Sequence, residues 1–460
     1  MSSEVSFRPL YHVTAPQGRL NDPNGVFISP TTGRLHVFYQ KDPAFPFGKK
    51  RTGWGHVSTD LSTLEWVHHP DALYPDAPYD LDGCYSGGAV VDGDQVYLFY
   101  TGNLKQPVGD GFERKASQNV VFTEDVDGPL GGVYRRSPGN PVIPAPAAGY
   151  TAHYRDPMIT RDGDGWRMVT GAQRADETGA VVLYRSPDLL EWEFVGELEF
   201  DITNASLGLS PDVVPGGFMW ECPNLLTMRD VETGEDLDVL IICPQGLEPI
   251  TVNGVTHYAS SDQCGYVVGK LSGTRFEVLR GFSELDYGHQ FYAPQIVSQA
   301  DGSGLLLGWM GLPAQDDTPS VAAEGWVHCL TVPRRVELRG HVLVQSLVVP
   351  ESIQNSDENH NEPGVLWHVE RLGGHETTLT ITGSQGTIGA TIHYLSSVEP
   401  VLEINVAGVI RTIPCPPGDL TVFVDRSAVE LTAAEGHISC SFVTFPQNNE
   451  VWDTITVNCD

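Results

Sequence analysis

Three acidic side chains stand at the start of apolar runs in separate parts of the chain. Asp22 lies in "NDPNG", Asp156 in "YRDPMI" and Glu221 in "WECPNL". Two carboxyl groups that face one pocket can hydrolyse a glycosidic bond, because one attacks or activates water at the anomeric carbon and the other protonates the leaving oxygen. An aspartate before a proline is usually a turn residue, so this chemistry depends on the three acids meeting in space.

A repeat of similar strands provides a way for them to meet. Five apolar runs recur at separations of 61, 70, 73 and 66 residues. They are "LHVFYQ" from 35, "VYLFYTG" from 96, "WRMVTGAQ" from 166, "VLIICPQG" from 239 and "LLLGWMG" from 305. Each follows a segment with a proline or glycine before an apolar stretch and a turn, and at least three precede a further strand. The pattern favours a five-bladed β-propeller over an irregular sandwich.

The first strand of each predicted blade lines the central channel, so its starting residue lies at one mouth of that channel. The residues at this position are Asp22, Ser86, Asp156, Glu221 and Tyr292. The proline or glycine that follows restricts the backbone that presents each of them. We therefore expect the three acids to converge on one pocket.

The sequence changes character near residue 350. The stretch "PESIQNSDENHNEPG" (350–364) is polar and turn-rich, and short alternating runs such as "VLEINVAGVI" and "LTVFVDRSAVELTA" follow it. Alternation of this kind is typical of a β-sandwich. We predict an all-β protein with a propeller over 1–342, a linker over 343–362 and a sandwich over 363–460. A chain of 460 residues is also too long for a single ordinary core.

Composition excludes several classes of partner. The net charge of −32 argues against binding nucleic acid or anionic lipid. No signal peptide or membrane-spanning run is apparent, which predicts a soluble, cytoplasmic protein that acts on small molecules.

Metal and thiol chemistry are not expected either. The eight cysteines have no ligand spacing and are interpreted as reduced, mostly buried thiols. The histidines at 56, 68, 69 and 289 have no metal-ligand spacing, so we predict neither a metal nor another cofactor. Oligomeric state does not follow from the sequence.

The motifs resemble those of glycoside hydrolase family 32, the β-fructofuranosidases, which include invertases, sucrose-6-phosphate hydrolases, inulinases and levanases. The matching segments are "NDPNG" (21–25), "WGHVSTDLSTLEW" (54–66), "YSGGAV" (85–90), "YRDPMI" (154–159), "WECPNL" (220–225), "FYAPQ" (291–295), "GWMG" (308–311), "LTVPRRVEL" (330–338) and "FVDRSAVEL" (423–431). They run in family order over nearly the whole chain. The resemblance implies a five-bladed propeller with a C-terminal sandwich.

The resemblance also implies roles for individual residues. Asp22 matches the nucleophile of a retaining mechanism, Glu221 the general acid/base and Asp156 the residue that binds fructose hydroxyls in the transition state. The predicted sugar-binding residues are Asn21, Gln40, Phe47, Trp54, Tyr85, Ser86 and Arg155. Arg155 is expected to orient Asp156 and to lower its pKa, which would leave Glu221 as the acid.

Some positions depart from the family pattern around the sugar-binding rim. Arg19 and Leu20 stand where the family often has Trp and Met, and Tyr85 where it often has Phe. The cationic run Lys49–Arg51 is compatible either with recognition of a 6-phosphate on the substrate or with an ordinary solvated loop. Substrate size and leaving-group preference therefore remain open.

Three functions fit these observations. The first is a cytoplasmic β-fructofuranosidase that hydrolyses sucrose, sucrose 6-phosphate or short fructo-oligosaccharides, with exo-acting inulinase or levanase activity as a variant. The second is a fructosyltransferase, in which a sugar hydroxyl replaces water and the same acids serve. The third is a sugar-binding propeller with an inert site, which a missing acid would have favoured.

Overall fold

The chain is folded almost entirely into β-strands. The structure, a computed structural model, describes residues 6–259, 262–354, 364–372, 376–446, 450 and 452–459. Within these residues the helices are the short α1 (Pro319–Glu324) and α2 (Glu351–Gln354). The prediction of an all-β protein is confirmed at this level.

The strands before residue 348 form five successive sheets, called sheets 1 to 5, and one small hairpin. Sheet 1 contains β1 (Gly18–Ile28), β2 (Leu35–Asp42), β3 (Gly53–Thr59) and β4 (Val67–Leu73). Sheet 2 contains β5 (Cys84–Tyr85), β6 (Ala89–Asp92), β7 (Gln95–Val108), β8 (Gly111–Thr123) and β9 (Arg135–Arg136). Sheet 3 contains β10 (Tyr150–Asp162), β11 (Gly165–Arg174), β12 (Gly179–Ser186) and β13 (Glu193–Glu197).

Sheet 4 contains β14 (Glu199–Asp201), β15 (Met219–Arg229), β16 (Asp236–Gln245), β19 (Gly265–Ser272) and β20 (Arg275–Glu284). The small hairpin is formed by β17 (Ile250–Val252) and β18 (Val255–His257). Sheet 5 contains β21 (Tyr292–Ser298), β22 (Gly304–Met310), β24 (Cys329–Leu330), β25 (Arg334–Arg339) and β26 (Val342–Leu347). The strand β23 (Trp326–Val327) pairs parallel to β1 and so joins sheet 1.

The innermost strands of neighbouring sheets contact one another in order around the molecule. β1 contacts β6 and β21, β10 contacts β6 and β15, and β15 contacts β21. Buried apolar side chains from adjacent sheets fill the spaces between them, as between sheets 3 and 4. Sheets 1 to 5 are therefore brought together through their inner strands.

Four inner strands lose their regular pairing near the proline of the motif, and in β1 the register shifts between Leu20 and Pro23. In β10, β15 and β21 the register shifts directly after Arg155, Glu221 and Tyr292. The next residue, Asp156 or Cys222 in the first two of these strands, has a left-handed φ of 68° or 47°, which is uncommon outside glycine. A β-bulge of this kind redirects the side chains around it. Glu221 is thus equivalent to Arg155 and not, as expected from the sequence, to Asp156.

Side-chain amides just after these prolines connect neighbouring sheets. Asn24 of sheet 1 accepts the Gly87 N–H of sheet 2 at 3.1 Å, and Asn224 of sheet 4 donates to the Pro294 carbonyl of sheet 5 at 2.9 Å. Gln295 of sheet 5 accepts the Val26 N–H of sheet 1 at 3.2 Å. These bonds satisfy backbone groups that the bulges leave unpaired.

The strands after residue 363 form two antiparallel sheets. The first contains β27 (Gly364–Leu372), β32 (Gly418–Asp425), β33 (Ala428–Ala433) and β34 (Ile438–Val443), and the second β28 (Thr377–Gly383), β29 (Ile388–Leu395), β30 (Val401–Val406), β31 (Val409–Pro414) and β35 (Trp452–Cys459). Leu379 and Ile404 of the second sheet share one apolar core with Val422 and Leu431 of the first. The predicted linker 343–362 begins inside β26, which pairs along its length with β25, and its part 355–362 lies outside the described residues.

A buried charged network connects the N-terminal segment, sheet 5 and the C-terminal sheets. His12 contacts Asp425 at 2.8 Å and Glu430 at 3.1 Å. The guanidinium of Arg334 in β25 donates to Glu430 and, at 2.9 Å, to Asp286. All five side chains have no exposed surface or almost none, so each charge depends on the others for compensation.

Candidate active site

The Asp22 carboxylate is held by two polar side chains, which a third connects. Ser86 Oγ donates to its Oδ2, and Asn21 Nδ2 donates to its Oδ1 at 3.0 Å. Gln40 joins these two donors, because its Oε1 accepts from Asn21 at 2.7 Å and its Nε2 donates to Ser86 Oγ at 2.7 Å. The structure thus brings four of the residues predicted from the sequence into one hydrogen-bonded group.

Opposing influences act on the protonation of Asp22. Burial raises its pKa, while the hydrogen bonds from Ser86 and Asn21 lower it; the charge of Glu221 raises it further and that of Arg19 lowers it, with a net rise. A carboxylate must be ionised to attack carbon. The two donors therefore orient the group and oppose the effect of burial.

Glu221 lies across the same pocket and is held at both oxygens. Arg155 donates to Oε1 from Nε at 2.8 Å and from Nη2 at 2.6 Å, and the Tyr292 hydroxyl donates to Oε2 at 2.7 Å. The Glu221 side chain retains 17% of its exposure, so it is accessible to a ligand. Tyr292 was expected only to line the channel mouth. Tyr292 and Glu221 each stand two residues before the proline of their motif. This shared position is the sequence signal that points to the contact.

Arg155 does not orient Asp156, and this expectation was wrong. The bulge places Arg155 level with Glu221 on the adjacent inner strand, whereas the left-handed backbone of Asp156 turns its carboxylate toward the Cys222 N–H, which donates at 2.9 Å. Burial raises the pKa of Asp156 to about 7; Arg155 lowers it, and the charges of Glu221 and Asp22 raise it. The net effect on Asp156 is a raised pKa, in spite of the positive charge of Arg155.

The thiol of Cys222 lies between the two aspartates. Its Sγ is 3.6 Å from Asp156 Oδ2 and 3.9 Å from Asp22 Oδ2. Burial, followed by the charges of the surrounding acids, raises the pKa of this thiol well above its usual value. Cys222 is thus uncharged, and its two contacts show that the carboxylates of Asp22 and Asp156 lie close together.

Comparison with known proteins agrees with this geometry. Residues 12–346 match the glycosyl hydrolases family 32 N-terminal domain. The chain belongs to glycoside hydrolase family 32. The resemblance inferred from the motifs is thereby confirmed, and the protein is a glycoside hydrolase.

Similar proteins extend along nearly the whole chain of this family 32 enzyme. The sucrose-6-phosphate hydrolase of Bacillus subtilis (strain 168) is 34% identical over 473 residues, which cover 98% of this chain and 91% of that protein. Among solved structures, the Bombyx mori β-fructofuranosidase BmSUC1 has 31% identity and a TM-score of 0.77, covering 99% and 94% of the two chains. A mutant of it has been solved in complex with sucrose. The sucrose-6-phosphate hydrolase of Lactobacillus gasseri has 25% identity and a TM-score of 0.76, covering 100% and 91%.

The aromatic residues predicted to bind sugar in this family 32 enzyme have different surroundings. The Trp54 side chain is 0% exposed and packs with Phe38 and Tyr100, so it has no surface to offer a sugar ring, contrary to our expectation. Its indole N–H donates to the Tyr85 carbonyl at 3.1 Å and so supports Tyr85, which is half-buried. Phe47 is 96% exposed on the loop between β2 and β3, and its sugar contact stays a prediction.

The described residues of the family 32 enzyme form neither a membrane-spanning helix nor a metal-binding cluster. No helix there is long and apolar enough to cross a membrane, and no group of three or more His, Cys, Asp or Glu side chains is arranged to hold a metal ion. The cysteines at 84, 222, 243, 264, 329, 415 and 440 are free and buried.

Proposed function

We propose that this family 32 enzyme is a retaining β-fructofuranosidase that hydrolyses the fructosyl bond of sucrose or sucrose 6-phosphate. The observation that carries the proposal is a pair of carboxyl groups facing one pocket. Asp22 is held by Ser86 and Asn21, and Glu221 by Arg155 and Tyr292. The names of the similar hydrolases and the sucrose complex of the Bombyx mori protein support the substrate.

The reaction follows from these two groups as a double displacement. The Asp22 carboxylate attacks the anomeric carbon of the fructosyl unit while Glu221 protonates the leaving oxygen, which gives a fructosyl ester of Asp22 and the free second sugar. Glu221 then takes a proton from water as that water attacks the same carbon. The C–O bond to Asp22 breaks, and fructose leaves with its configuration retained.

Asp156 and its neighbours position the sugar in this scheme. Asp156 binds fructose hydroxyls as charge develops on the ring, and its backbone N–H is anchored on Thr101 Oγ1 at 3.0 Å. Asn21, Gln40 and Ser86 bind the ring from the Asp22 side. Arg155 donates twice to Oε1 of Glu221, so Oε2, which accepts one bond from the Tyr292 hydroxyl, is the oxygen that we assign to proton transfer.

The architecture proposed with this function is a five-bladed β-propeller followed by a β-sandwich. Contacts between inner strands in order around the molecule, and the amide bonds between neighbouring sheets, support the five blades. The division into 1–342, 343–362 and 363–460 also stays a proposal, although the pairing of β26 favours a boundary after residue 347. A cytoplasmic location is a proposal that the free cysteines support.

The replacement Asp22→Asn tests the nucleophile. It removes the attacking charge and keeps only one of the two oxygens that accept from Ser86 and Asn21, so kcat on sucrose should fall below one hundredth of the wild-type value. Asp92→Asn, at an exposed position at the end of β6, is the matched control and should keep full activity. Thermal unfolding of both variants should match the wild type within a few degrees.

Two results would contradict the proposal. One is Asp22→Asn activity above one hundredth of wild type. The other is an inverted anomer of fructose as the first product, measured by NMR within the first turnovers of the wild-type enzyme. Accumulation of oligosaccharides at high sucrose concentration would instead favour the fructosyltransferase reaction.

A further inference from the structure

The side chain of Arg19 is held beside the proposed nucleophile by three contacts. Its Nε donates to Asp316 Oδ1 at 2.8 Å, its Nη1 donates to Asn21 Oδ1 at 2.9 Å, and its guanidinium lies 5.0 Å from the centre of the Trp309 ring. The side chain is only 14% exposed. The guanidinium is therefore fixed in direction, with Nη1 aimed at the residue before Asp22.

The acceptor that anchors Arg19 is itself held by a histidine. Arg19 pairs with Val327 in parallel register, and the next residue, His328, has its Nε2 2.8 Å from Asp316 Oδ1, the atom that also accepts from Arg19. Burial raises the pKa of Asp316, but the hydrogen bonds from His328 and Arg19 outweigh it, with a net fall. Asp316 is thus ionised at neutral pH and fixes the guanidinium.

The direction of each hydrogen bond beyond Arg19 follows from what each group can donate. A guanidinium is a donor only, so the Asn21 atom that faces it is Oδ1, and Nδ2 points away. The two hydrogens of Nδ2 go to Asp22 Oδ1 at 3.0 Å and to Gln40 Oε1 at 2.7 Å. Gln40 therefore turns its Nε2 to Ser86 Oγ at 2.7 Å, and the one hydrogen of Ser86 goes to Asp22 Oδ2.

Donors at both oxygens favour the ionised form of Asp22. A carboxyl group with its proton on Oδ1 needs an acceptor there, and Asn21 could supply one only by turning its amide over. The turned amide would direct its NH2 group at the Arg19 guanidinium, where two donors would meet. Arg19 thus disfavours this arrangement and keeps Asp22 in the state that can attack carbon.

We propose that Arg19 is a positioning residue for the nucleophile, which sets the direction of the hydrogen bonds that end on Asp22. The inference rests on the proposed function, in which the Asp22 carboxylate attacks the fructosyl carbon, and Arg19 acts on it through Asn21. Two effects of Arg19 then have to be separated by experiment. Its charge acts through space, whereas the direction of its Nη1 depends on the anchor at Asp316.

The pH dependence of kcat/KM on sucrose measures the effect, because its acid limb reports the ionisation of Asp22 in the free enzyme. In Arg19→Met the acid limb should move to higher pH by about half a unit to one unit, so kcat/KM should fall several-fold at low pH and less on the plateau. The matched control is Arg161→Gln, since Arg161 also lies over an indole, 4.2 Å from the centre of the Trp166 ring; it should keep the wild-type profile. An acid limb of Arg19→Met that coincides with that of wild type would overturn the inference.

The other titratable groups that face Asp22 are the same in every variant. They are the carboxyl groups of Glu221 and Asp156 and the thiol of Cys222, whose Sγ lies 3.9 Å from Asp22 Oδ2. A difference between the acid limbs of two variants therefore reports the replaced residue.

The variant Asp316→Ala separates positioning from charge. It keeps the cation of Arg19 and removes a nearby negative charge, so an effect of charge alone would lower the pKa of Asp22 and move the acid limb to lower pH. Positioning requires the opposite shift, because the guanidinium loses the acceptor for its Nε and no longer holds the Asn21 amide in one orientation. A shift to lower pH, or none, would contradict the inference.

Carbon-13 NMR titration of the carboxyl groups tests the inference without a sugar substrate. The Asp22 signal is identified by its absence from the spectrum of Asp22→Asn. If the wild type hydrolyses neither sucrose nor sucrose 6-phosphate, the proposed function fails, yet a higher pKa of Asp22 in Arg19→Met than in wild type would still support the role of Arg19 in directing these hydrogen bonds. Equal pKa values of Asp22 in the two proteins would overturn it.

Discussion

At the scale of single residues, three carboxyl groups share one pocket but have different partners. Asp22 has neutral donors, Glu221 has a guanidinium and a phenol, and Asp156 has a backbone N–H with the other two acids nearby. Charges that face one another in a buried site cannot all be ionised at low cost. Burial, together with the charges of Glu221 and Asp22, raises the pKa of Asp156 to about 7.

The replacement Asp156→Asn should make the folded enzyme more stable while it lowers activity. An aspartate with a pKa of 3.8 when exposed and about 7 when folded contributes stability below pH 3.8 that is lost as the pH rises through 7. The neutral variant avoids this loss, so its gain in Tm over wild type should be larger at pH 8 than at pH 5. Thermal unfolding at both pH values is the measurement, and an equal gain at both would contradict the assigned pKa.

At the scale of elements, the bulges of the inner strands and the amides that follow them act together. The bulge lets Asp156 and Glu221 present their carboxyl groups to the pocket, and it also interrupts the backbone ladder. Asn224 repairs this interruption in sheet 4: it donates to the Cys222 and Pro294 carbonyls at 3.0 and 2.9 Å. The same side chain therefore supports the backbone next to Glu221 and connects sheets 4 and 5.

The replacement Asn224→Leu should destabilise the protein. The leucine is similar in shape but leaves buried carbonyl groups without donors, which costs about 1–3 kcal/mol in free energy of unfolding. Met158, which also directly follows the motif proline, is apolar in sheet 3, so Met158→Leu is the control and should cost less than about 1.5 kcal/mol. Urea unfolding compares the two, and a smaller loss for Asn224→Leu than for Met158→Leu would show that these hydrogen bonds are unimportant. We also expect kcat to fall for Asn224→Leu, since Glu221 loses support.

At the scale of the whole molecule, the buried network around Arg334 joins the sheets that form the pocket to the C-terminal sheets. Glu430 bonds to both His12 and Arg334, while Asp425 accepts the backbone N–H groups of Leu10 and Tyr11. The segment held in this way leads directly into β1 and Asp22. The C-terminal sheets thus stabilise the position of a strand that carries a proposed catalytic group.

The protonation of His12 should make stability depend on alkaline pH. Burial lowers its pKa, but the bonds to Asp425 and Glu430 outweigh burial and raise it from 6.5 to about 9. The stability that this histidine contributes is fully present below pH 6.5 and is lost as the pH rises through 9. The free energy of unfolding in urea should therefore fall between pH 7 and pH 9.5. In His12→Gln the protein should be less stable and this fall smaller, and an equally large fall would contradict the role of His12.

Much of the fold and the set of acids could be predicted from the sequence, because both depend on local patterns. Strand periodicity is a short-range property, and the motif prolines mark the bends of the inner strands. The repeat spacing predicted that Asp22, Asp156 and Glu221 meet, and the contacts of Cys222 support this for the two aspartates, whereas Glu221 takes the strand position of Arg155. Family membership followed from motifs alone.

The partners and environments of these residues were decided only by the tertiary structure. Arg155 binds Glu221 and not its neighbour Asp156, because the bulges set the direction of each side chain. Trp54 is enclosed by other core side chains, which no local pattern reveals. Burial, charge and side-chain direction each depend on contacts with segments that are distant along the chain. The sequence by itself therefore determined which groups reach the pocket, and the packing determined how each of them is held and charged there.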